Sequence, residues 1–579
     1  MTDEELLRKL EDFTKNAQFH QLETLRSILD HNGSVRYLQP YLRGYDAPVN
    51  ADTFRRCVPL SCYDDYAAYV NQMANGMNDR DAPLLSVDPL LCFFYSSGTS
   101  SMKPKLIPYF DSNYSKAASF IAHRGSVSIL QRLFPPRPTV NKNLWFLYAG
   151  NITTTKSGLK VMAASSFPMQ SGKATSQQLA SSSSPPEVIL GSNVQHQMYC
   201  HLLCSLRNFN DIDAVRAPYA AGLIRAFNLL ESKWEQLCDD LDSGFASDEI
   251  SEMSTRETVR KIIDGPQPEL SRRVRLACEG NDWGGIVSRL WPNIRYIRCV
   301  TTGSMKQYYP KLKNYAGDIP ILGGDYFASE CCVGINLDIM QPPETTHYVL
   351  LPTAAYFEFL PFKMDQGDDY SEETVDFSGV EVGKMYEVVA TTHRGFYRYR
   401  LGDIVRVVGF HNSSPLVEFV MRGPKTHFEI LTEKDLILAV ENFQLALRTA
   451  GGIEIVEFAS SLDDELKPKQ LKLFVEVKEE HTNTIVQDEW KESVVTFQRF
   501  SSSLERGLGA MYSVQRETGE IGPLLIFILR PGAFDELSEV AIKNGAPASQ
   551  YKPPKIIQNR EIVKLLENLA LVTVSLDGS

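Results

Sequence analysis

A chain of 579 residues is longer than one hydrophobic core organises, so a large domain with at least one smaller one is expected. Its composition, 43% hydrophobic and 22% charged, is that of a water-soluble globular protein. A net charge of −12 argues against general nucleic-acid binding, and no run approaches the ~18–20 apolar residues of a membrane span.

The chain begins MTDEELLRKLEDFTKNA, charged throughout, with Leu6, Leu10, Phe13 and Ala17 at helical spacing. Thr2 and Glu5 make a T-x-x-E capping box, so the spacing predicts a surface helix, not a secretory signal, and a cytoplasmic protein. LLCFFY (90–95) reads as a buried strand, and SSGTSSMKPK (96–105) follows it. Hydroxyls, backbone amides and a lysine are what an anion needs, but the loop has one glycine and lacks the P-loop pattern. Taken alone, such a serine-rich stretch is more often a plain loop.

LWFLYAG (144–150), IRYIRCVTT (294–302) and IPILGGDYF (319–327) are further strand-like runs, and residues 223–237 form a core helix through Leu223, Ala226, Phe227, Leu230, Trp234 and Leu237. Alternation of this kind predicts an α/β domain with its function at strand ends. Cys200 and Cys204 flank His201 one turn apart, but two further metal ligands at suitable spacing are missing, so a buried thiol face is expected. The sequons at Asn151 and Asn412 carry no weight without a secretory signal. ATSQQLASSSSPP (174–186) and MDQGDDYSEETVDFSG (364–379) read as solvated loops.

GGDYFASE (323–330) sets a glycine pair, an aromatic and a glutamate at a strand end, suited to a planar ring and a metal or to a simple turn. In HRGFYRYRLGDIVRV (393–407), paired strands are expected around a turn at Gly395, with Gly402-Asp403 breaking the second. That aspartate could accept ribose hydroxyls or sit in an exposed turn. Beyond MRGPK (421–425) the pattern changes to helix (433–450), strand (453–458), strand (471–477), helix (489–508), strand (524–529) and helix (534–543). A hinge is therefore placed near 421–432. In ASQYKPPK (548–555) two prolines hold Lys552 on an extended segment, as a mobile phosphate ligand or as surface charge.

Together, SSGTSSMKPK, YFASE and YRYRLGD resemble the three nucleotide motifs of adenylate-forming enzymes, and most closely those of the plant acyl-acid amido synthetases, the Gretchen Hagen family. RLWPNIRYI, TTGSM, YAGDIP, YFEFLPF, RPGAFD and QYKPPK extend the resemblance over nearly the whole chain. It implies a large N-terminal α/β domain of the firefly luciferase-like type (1–424) and a smaller mobile α+β domain (425–579), as a monomer. It implies that Ser96, Ser97, Gly98, Thr99, Ser100 and Lys105 hold ATP phosphates, and that Thr302, Gly303, Ser304, Ser329 and Arg400 line the nucleotide. Tyr326 would lie near the adenine, Asp403 would bind the ribose, Glu330 would hold Mg²⁺ and Lys552 would swing in with the small domain.

The implied reaction is ATP-dependent joining of an amino acid to a small carboxylic acid (jasmonate, an auxin or a benzoate) through an acyl-adenylate, with no protein nucleophile. Phe120, Arg124, Gly158, Tyr219 and Tyr356 are the candidates for the acid pocket, Arg124 as the carboxylate partner. Met102 and Phe327 stand where the family keeps glycine, putting bulk near the nucleotide, and Lys425 is the lysine left for the family's hinge position. A degenerate member that binds nucleotide or acid without turnover, or an acyl-CoA synthetase-like enzyme, is the alternative.

Overall fold

The computed structural model describes residues 2–44, 49–76, 83–96, 105–172, 179–247, 250–280, 282–362, 373–423, 430–478, 490–543, 546 and 551–575. They fall into two compact units, one taking in residues 2–96 and 106–423, the other the residues beyond 430. Among the described residues no helix is long and apolar enough to cross a membrane.

The larger unit begins with the expected helix, Asp3–Lys15, whose capping box is formed by Thr2 and Glu5. Leu10 buries against Ala122 and Cys332, fastening this helix to the helix Asn113–Leu133. Three sheets follow. The strands Lys142–Trp145, Ile212–Tyr219, Tyr296–Val300 and Ile321–Gly323 form a parallel sheet in that order. Leu90–Tyr95 pairs antiparallel with Leu106–Phe110 and parallel with Lys160–Met162, which in turn pairs with Thr153–Thr154. The largest sheet is antiparallel and has seven strands, ordered Tyr356–Phe362, Met385–Thr391, Tyr399–His411, Ser414–Arg422, His347–Leu350, Cys332–Ile335, Tyr326–Phe327.

Two apolar runs end differently from their sequence pattern. The run 144–150 leaves its sheet after Trp145, and the run 319–327 splits between two sheets. The split falls at Gly323 and Gly324, where a β-carbon would lie 2.1 Å from Thr346 Oγ1 and 2.9 Å from Val300. Only glycine lets the backbone cross from the parallel sheet to the antiparallel one there. The expected break at Gly402-Asp403 is instead an irregularity in one long strand, with Gly402 at φ 72° and pairing shifted on both sides. On the helix Val194–Arg207, Cys200 and Cys204 are buried, and the His201 ring nitrogens meet Ser184 Oγ at 2.7 Å and the Leu147 carbonyl at 3.1 Å. Both are thereby committed to protein partners.

The smaller unit carries a four-stranded sheet, Ile455–Asp463, Gln470–Val477, Leu525–Leu529 and Ala570–Ser575 in that order. The helices Glu433–Gly451 and Trp490–Arg506 cover one face, through Phe443, Leu447, Phe497 and Leu504. Ala533–Lys543 and Arg560–Asn568 cover the other, through Leu537 and Leu566 against Phe474 and Leu529. The short helix Ala510–Glu517 and the final helix and strand carry no motif and too short a pattern to read from sequence.

Glu476 in this sheet is buried, and its two carboxylate oxygens accept the amides of Gly532 and Phe534, each at 2.9 Å, at the start of the helix Ala533–Lys543. Burial nevertheless pushes its carboxyl up from 4.5 to about 7. Between those values the folded chain holds a proton that the unfolded chain releases, so this group's contribution is full below the lower value and is lost as pH rises through the upper one. The loss is at most about 3 kcal/mol at 1.36 kcal/mol per unit. Calorimetry of the full chain at about pH 5 and about pH 8 should show Glu476→Gln flattening the difference seen in wild type.

Candidate active site

Four separated stretches of the larger unit meet at the carboxyl ends of its parallel strands, the usual place for a ligand in an open α/β sheet. The strand Tyr296–Val300 delivers Thr302 and Gly303, and Ile321–Gly323 delivers Tyr326 to Glu330. Thr302 Oγ1 lies 2.9 Å from the Tyr348 hydroxyl, and a β-carbon on Gly303 would be 2.7 Å from the Phe419 ring. Tyr326 packs between those same rings, at 5.4 Å from Tyr348 and edge-on at 6.0 Å from Phe419. Ser329 Oγ reaches the carbonyl of Tyr95 at 3.5 Å, so the second motif touches the strand end from which the first departs. Arg394 ties this corner together by donating to the Ser329 carbonyl at 3.2 Å and to Ser119 Oγ at 3.3 Å.

The largest sheet curls enough that Tyr326, on its edge strand, donates its hydroxyl to Asp403 Oδ2 at 2.6 Å, four positions along the strand order. Arg422 stands directly across the ladder from Asp403 and binds Oδ1 at 2.8 Å and the Leu401 carbonyl at 2.5 Å. A carboxylate has about four lone-pair positions, so buried Asp403 keeps acceptor capacity beyond these two donors. Burial and the Asp403 charge hold the Tyr326 hydroxyl protonated well above its usual range, and Asp403 in turn holds Arg422 charged. Beside them the half-buried Glu330 lies within hydrogen-bonding reach of the Tyr399 hydroxyl, which burial and that carboxylate keep protonated. The result is a cluster of aromatic side chains around the buried Asp403 carboxylate, with the half-buried Glu330 beside it.

The motif YRYRLGD is pinned residue by residue. Tyr397 stacks on Tyr37 at 5.7 Å and donates to the Leu85 carbonyl at 2.6 Å. Arg398 is buried and adopts φ 48°, unusual for a side chain with a β-carbon. Its guanidinium holds both oxygens of the buried Glu358 at 2.9–3.2 Å, the carbonyls of Arg55 and Val58 at 2.6 and 2.8 Å, and Thr374 Oγ1 at 3.0 Å. Tyr399 then faces Glu330, and Arg400 binds both oxygens of Glu387 on the adjacent strand at 2.6–3.1 Å. Arg400, expected to line the nucleotide, is therefore drawn to Glu387, while the arginine beside the carboxylate is Arg422.

Models of the GH3 family N-terminal, central and C-terminal domains match residues 6–321, 348–422 and 434–561. The chain belongs to the GH3 family. It is 49% identical over 379 residues to a probable indole-3-acetic acid-amido synthetase of Oryza sativa subsp. japonica, covering 64% of this chain and 77% of that one. It is 33% identical over 581 residues to a jasmonoyl–L-amino acid synthetase of the same plant, covering 97% and 96%. It is likewise 33% identical to a 4-substituted benzoates–glutamate ligase of Arabidopsis thaliana, covering 97% and 96%. The solved structure of an acyl acid amido synthetase superposes with a TM-score of 0.84 at 30% identity, covering 98% of this chain and 97% of that one.

This GH3 chain departs from the family pattern at Phe327, and the structure relocates the consequence. Successive side chains of a strand point to opposite faces, so Phe327 turns away from Asp403. It packs with the Leu10, Ala122 and Cys332 cluster and edge-on to His123 at 4.6 Å. Its bulk supports the helix Asn113–Leu133. Ser97, Gly98, Thr99, Ser100, Met102 and Lys425 lie outside the described residues; Lys105 is exposed and Lys552 half-buried.

The acid-pocket candidates are dispersed. Arg124 is taken up by Asp3 Oδ1 at 2.9 Å, and Phe120, one turn earlier, is 48% exposed. Tyr219 ends a parallel strand, Gly158 lies in a turn at φ 82°, and Tyr356 is buried edge-on to Phe54. His123 and Ser119, on the same helix as Arg124, are the residues that face Phe327 and Arg394. Only the helical offset of one residue from Arg124 could have indicated His123.

Arg398→Ala strands a buried glutamate, and breaking such a pair costs about 3–5 kcal/mol. Urea unfolding of the full chain should show a loss of that size, whereas Arg124→Ala, in an ion pair whose two side chains are each 42% exposed, should stay within about 1 kcal/mol.

Proposed function

We propose that this chain joins an amino acid to a small carboxylic acid, using ATP to activate the acid as an acyl-adenylate. The supporting observation is the convergence of Tyr326, Glu330 and Asp403 beside the strand end where the serine-rich loop begins. An acid oxygen attacks the α-phosphorus of ATP as the bond to pyrophosphate breaks. The amine nitrogen of the amino acid then attacks the acyl carbon, the bond to AMP breaks, and the nitrogen gives up a proton. A free carboxylate would have to expel oxide; the adenylate expels AMP instead.

In this reading Asp403 accepts the ribose hydroxyls on the lone pairs that Tyr326 and Arg422 leave. The ring of Tyr326, backed by Tyr348 and Phe419, offers the adenine a flat apolar wall, with Thr302–Ser304 closing the edge. Glu330 supplies a hard oxygen ligand suited to Mg²⁺. Mg²⁺, when bound, neutralises charge on the triphosphate and the departing pyrophosphate. Residues 96–100, Lys105 and Lys552 are the phosphate ligands of this reading. The acids of the named relatives, indole-3-acetate, jasmonate and substituted benzoates, define the substrate class to try first.

Acid-dependent exchange of pyrophosphate into ATP, run over those acids, should detect the first step, and mass analysis with each of the twenty amino acids the second. Absence of exchange with every acid would overturn the assignment, and product formed with CoA but not amino acids would reassign the second step. Asp403→Asn should raise the KM for ATP about tenfold or more, the worth of one charged hydrogen bond, with the fold intact. Glu330→Gln should lower kcat for exchange by about a hundredfold.

A further inference from the structure

Two lysines stand three residues apart in Tyr551–Lys555, and they are in opposite physical situations. Lys552 is half-buried, whereas the side chain of Lys555 has no solvent exposure at all. Lysine is almost never fully buried unless paired. Here Nζ forms an ion pair with Glu457, donates to the carbonyl of Phe458 at 3.2 Å and sits 4.1 Å above the Phe458 ring. Glu457 lies directly across the ladder from Glu476, which turns its own charge to the amides of Gly532 and Phe534. One buried carboxylate is thus matched to a helix start and its neighbour to Lys555.

The main chain is held at the same point. The Lys555 carbonyl accepts from the Ser460 amide at 2.7 Å and from Ser460 Oγ at 3.1 Å, and the Ile557 amide donates to the Ser460 carbonyl at 2.7 Å. Ile557 buries among Phe474, Leu529 and Leu537. Between this anchor and Lys552 stand only Pro553 and Pro554, whose rings fix φ and restrict the residue before each. A buried ion pair is a costly way to gain stability, and apolar residues of similar size often serve as well. Its geometric yield is a fixed origin for the segment that carries Lys552.

We propose that Lys555 is a positioning residue for the adenylation step: its ion pair with Glu457 and the two prolines form a rigid tie that sets where Lys552 is presented. The inference rests on the reading of Lys552 as a phosphate ligand. A lysine on a loose tail would lose rotamer and backbone entropy at each turnover; the tie removes most of that loss before the triphosphate arrives. Because the gain is realised when charge moves onto the departing pyrophosphate, it should appear in kcat rather than in KM.

The test is pyrophosphate exchange by the full chain with whichever of indole-3-acetate, jasmonate or 4-hydroxybenzoate the wild type activates fastest. Lys552→Ala, Pro553→Gly and the double variant Glu457→Gln/Lys555→Met are compared, the last removing both charges so that none is left buried alone. Pro553→Gly touches neither the ion pair nor the core, so it decides the matter should the double variant fold poorly. The expected result is a loss of at least about a hundredfold for Lys552→Ala and about tenfold or more in kcat for the other two. Their KM for ATP should remain within about twofold and their melting temperatures within about two degrees of wild type. Wild-type exchange by Pro553→Gly, with Lys552→Ala inactive, would overturn the tie while leaving the function standing. Wild-type exchange by Lys552→Ala would refute the role of Lys552, and the inference would fall with it.

Discussion

The candidate site depends on one buried ion pair that never touches it. Glu358 and Arg398 would each be expensive alone in the interior, and the arginine also carries a backbone conformation that costs of order 1–3 kcal/mol. Such a residue persists only where its surroundings leave it no alternative, and four hydrogen-bonding partner residues from three chain segments do that here. With Arg398 locked and Tyr397 stacked beneath it, the next residues have no freedom in choosing faces. Tyr399 must turn to Glu330, Arg400 to Glu387, and the irregular turn at Gly402 then brings Asp403 under the Tyr326 hydroxyl.

What could be read from the sequence divides along the same line. The stretches holding Tyr326, Glu330 and Asp403 stood out through glycines, aromatics and a strand end within a few positions, but those neighbours alone left a plain turn open, and the roles expected of them came from the family resemblance. Arg422, Tyr348 and Phe419 were illegible, since each enters the site through long-range strand pairing in the seven-stranded sheet. Of that sheet only the paired strands around Gly395 were expected from the sequence. Tyr356–Phe362, at one edge, and Met385–Thr391 beside it are buried on both faces, so they lack the alternation that marks a half-exposed antiparallel strand. The parallel strands were visible as apolar runs, but where they end is decided by packing, as at Gly323–Gly324 against Thr346 and Val300.

Adjacent residues of one motif also proved to do different physical work. Tyr326 and Phe327 are both aromatic, yet one serves the carboxylate and the other props a helix through Leu10 and His123. Lys552 and Lys555 are chemically identical, yet the surroundings commit Lys555 to Glu457. Residue type and spacing were the same evidence in both cases. Burial separates them, and burial is a property of the tertiary fold alone.

The same logic explains why the residues expected at a nucleotide are tied together more closely than those expected at the acid. A buried carboxylate must be held by named donors, as Asp403 is by Tyr326 and Arg422. An apolar acid asks only for shape, which many side chains supply interchangeably and which no single spacing encodes. The dispersal of Phe120, Arg124, Gly158, Tyr219 and Tyr356 over unrelated elements follows from that difference. Arg124, the expected carboxylate partner, pairs with Asp3 at the surface. Arg394, by contrast, touches the carbonyl of Ser329, a serine hydroxyl and the face of Tyr109.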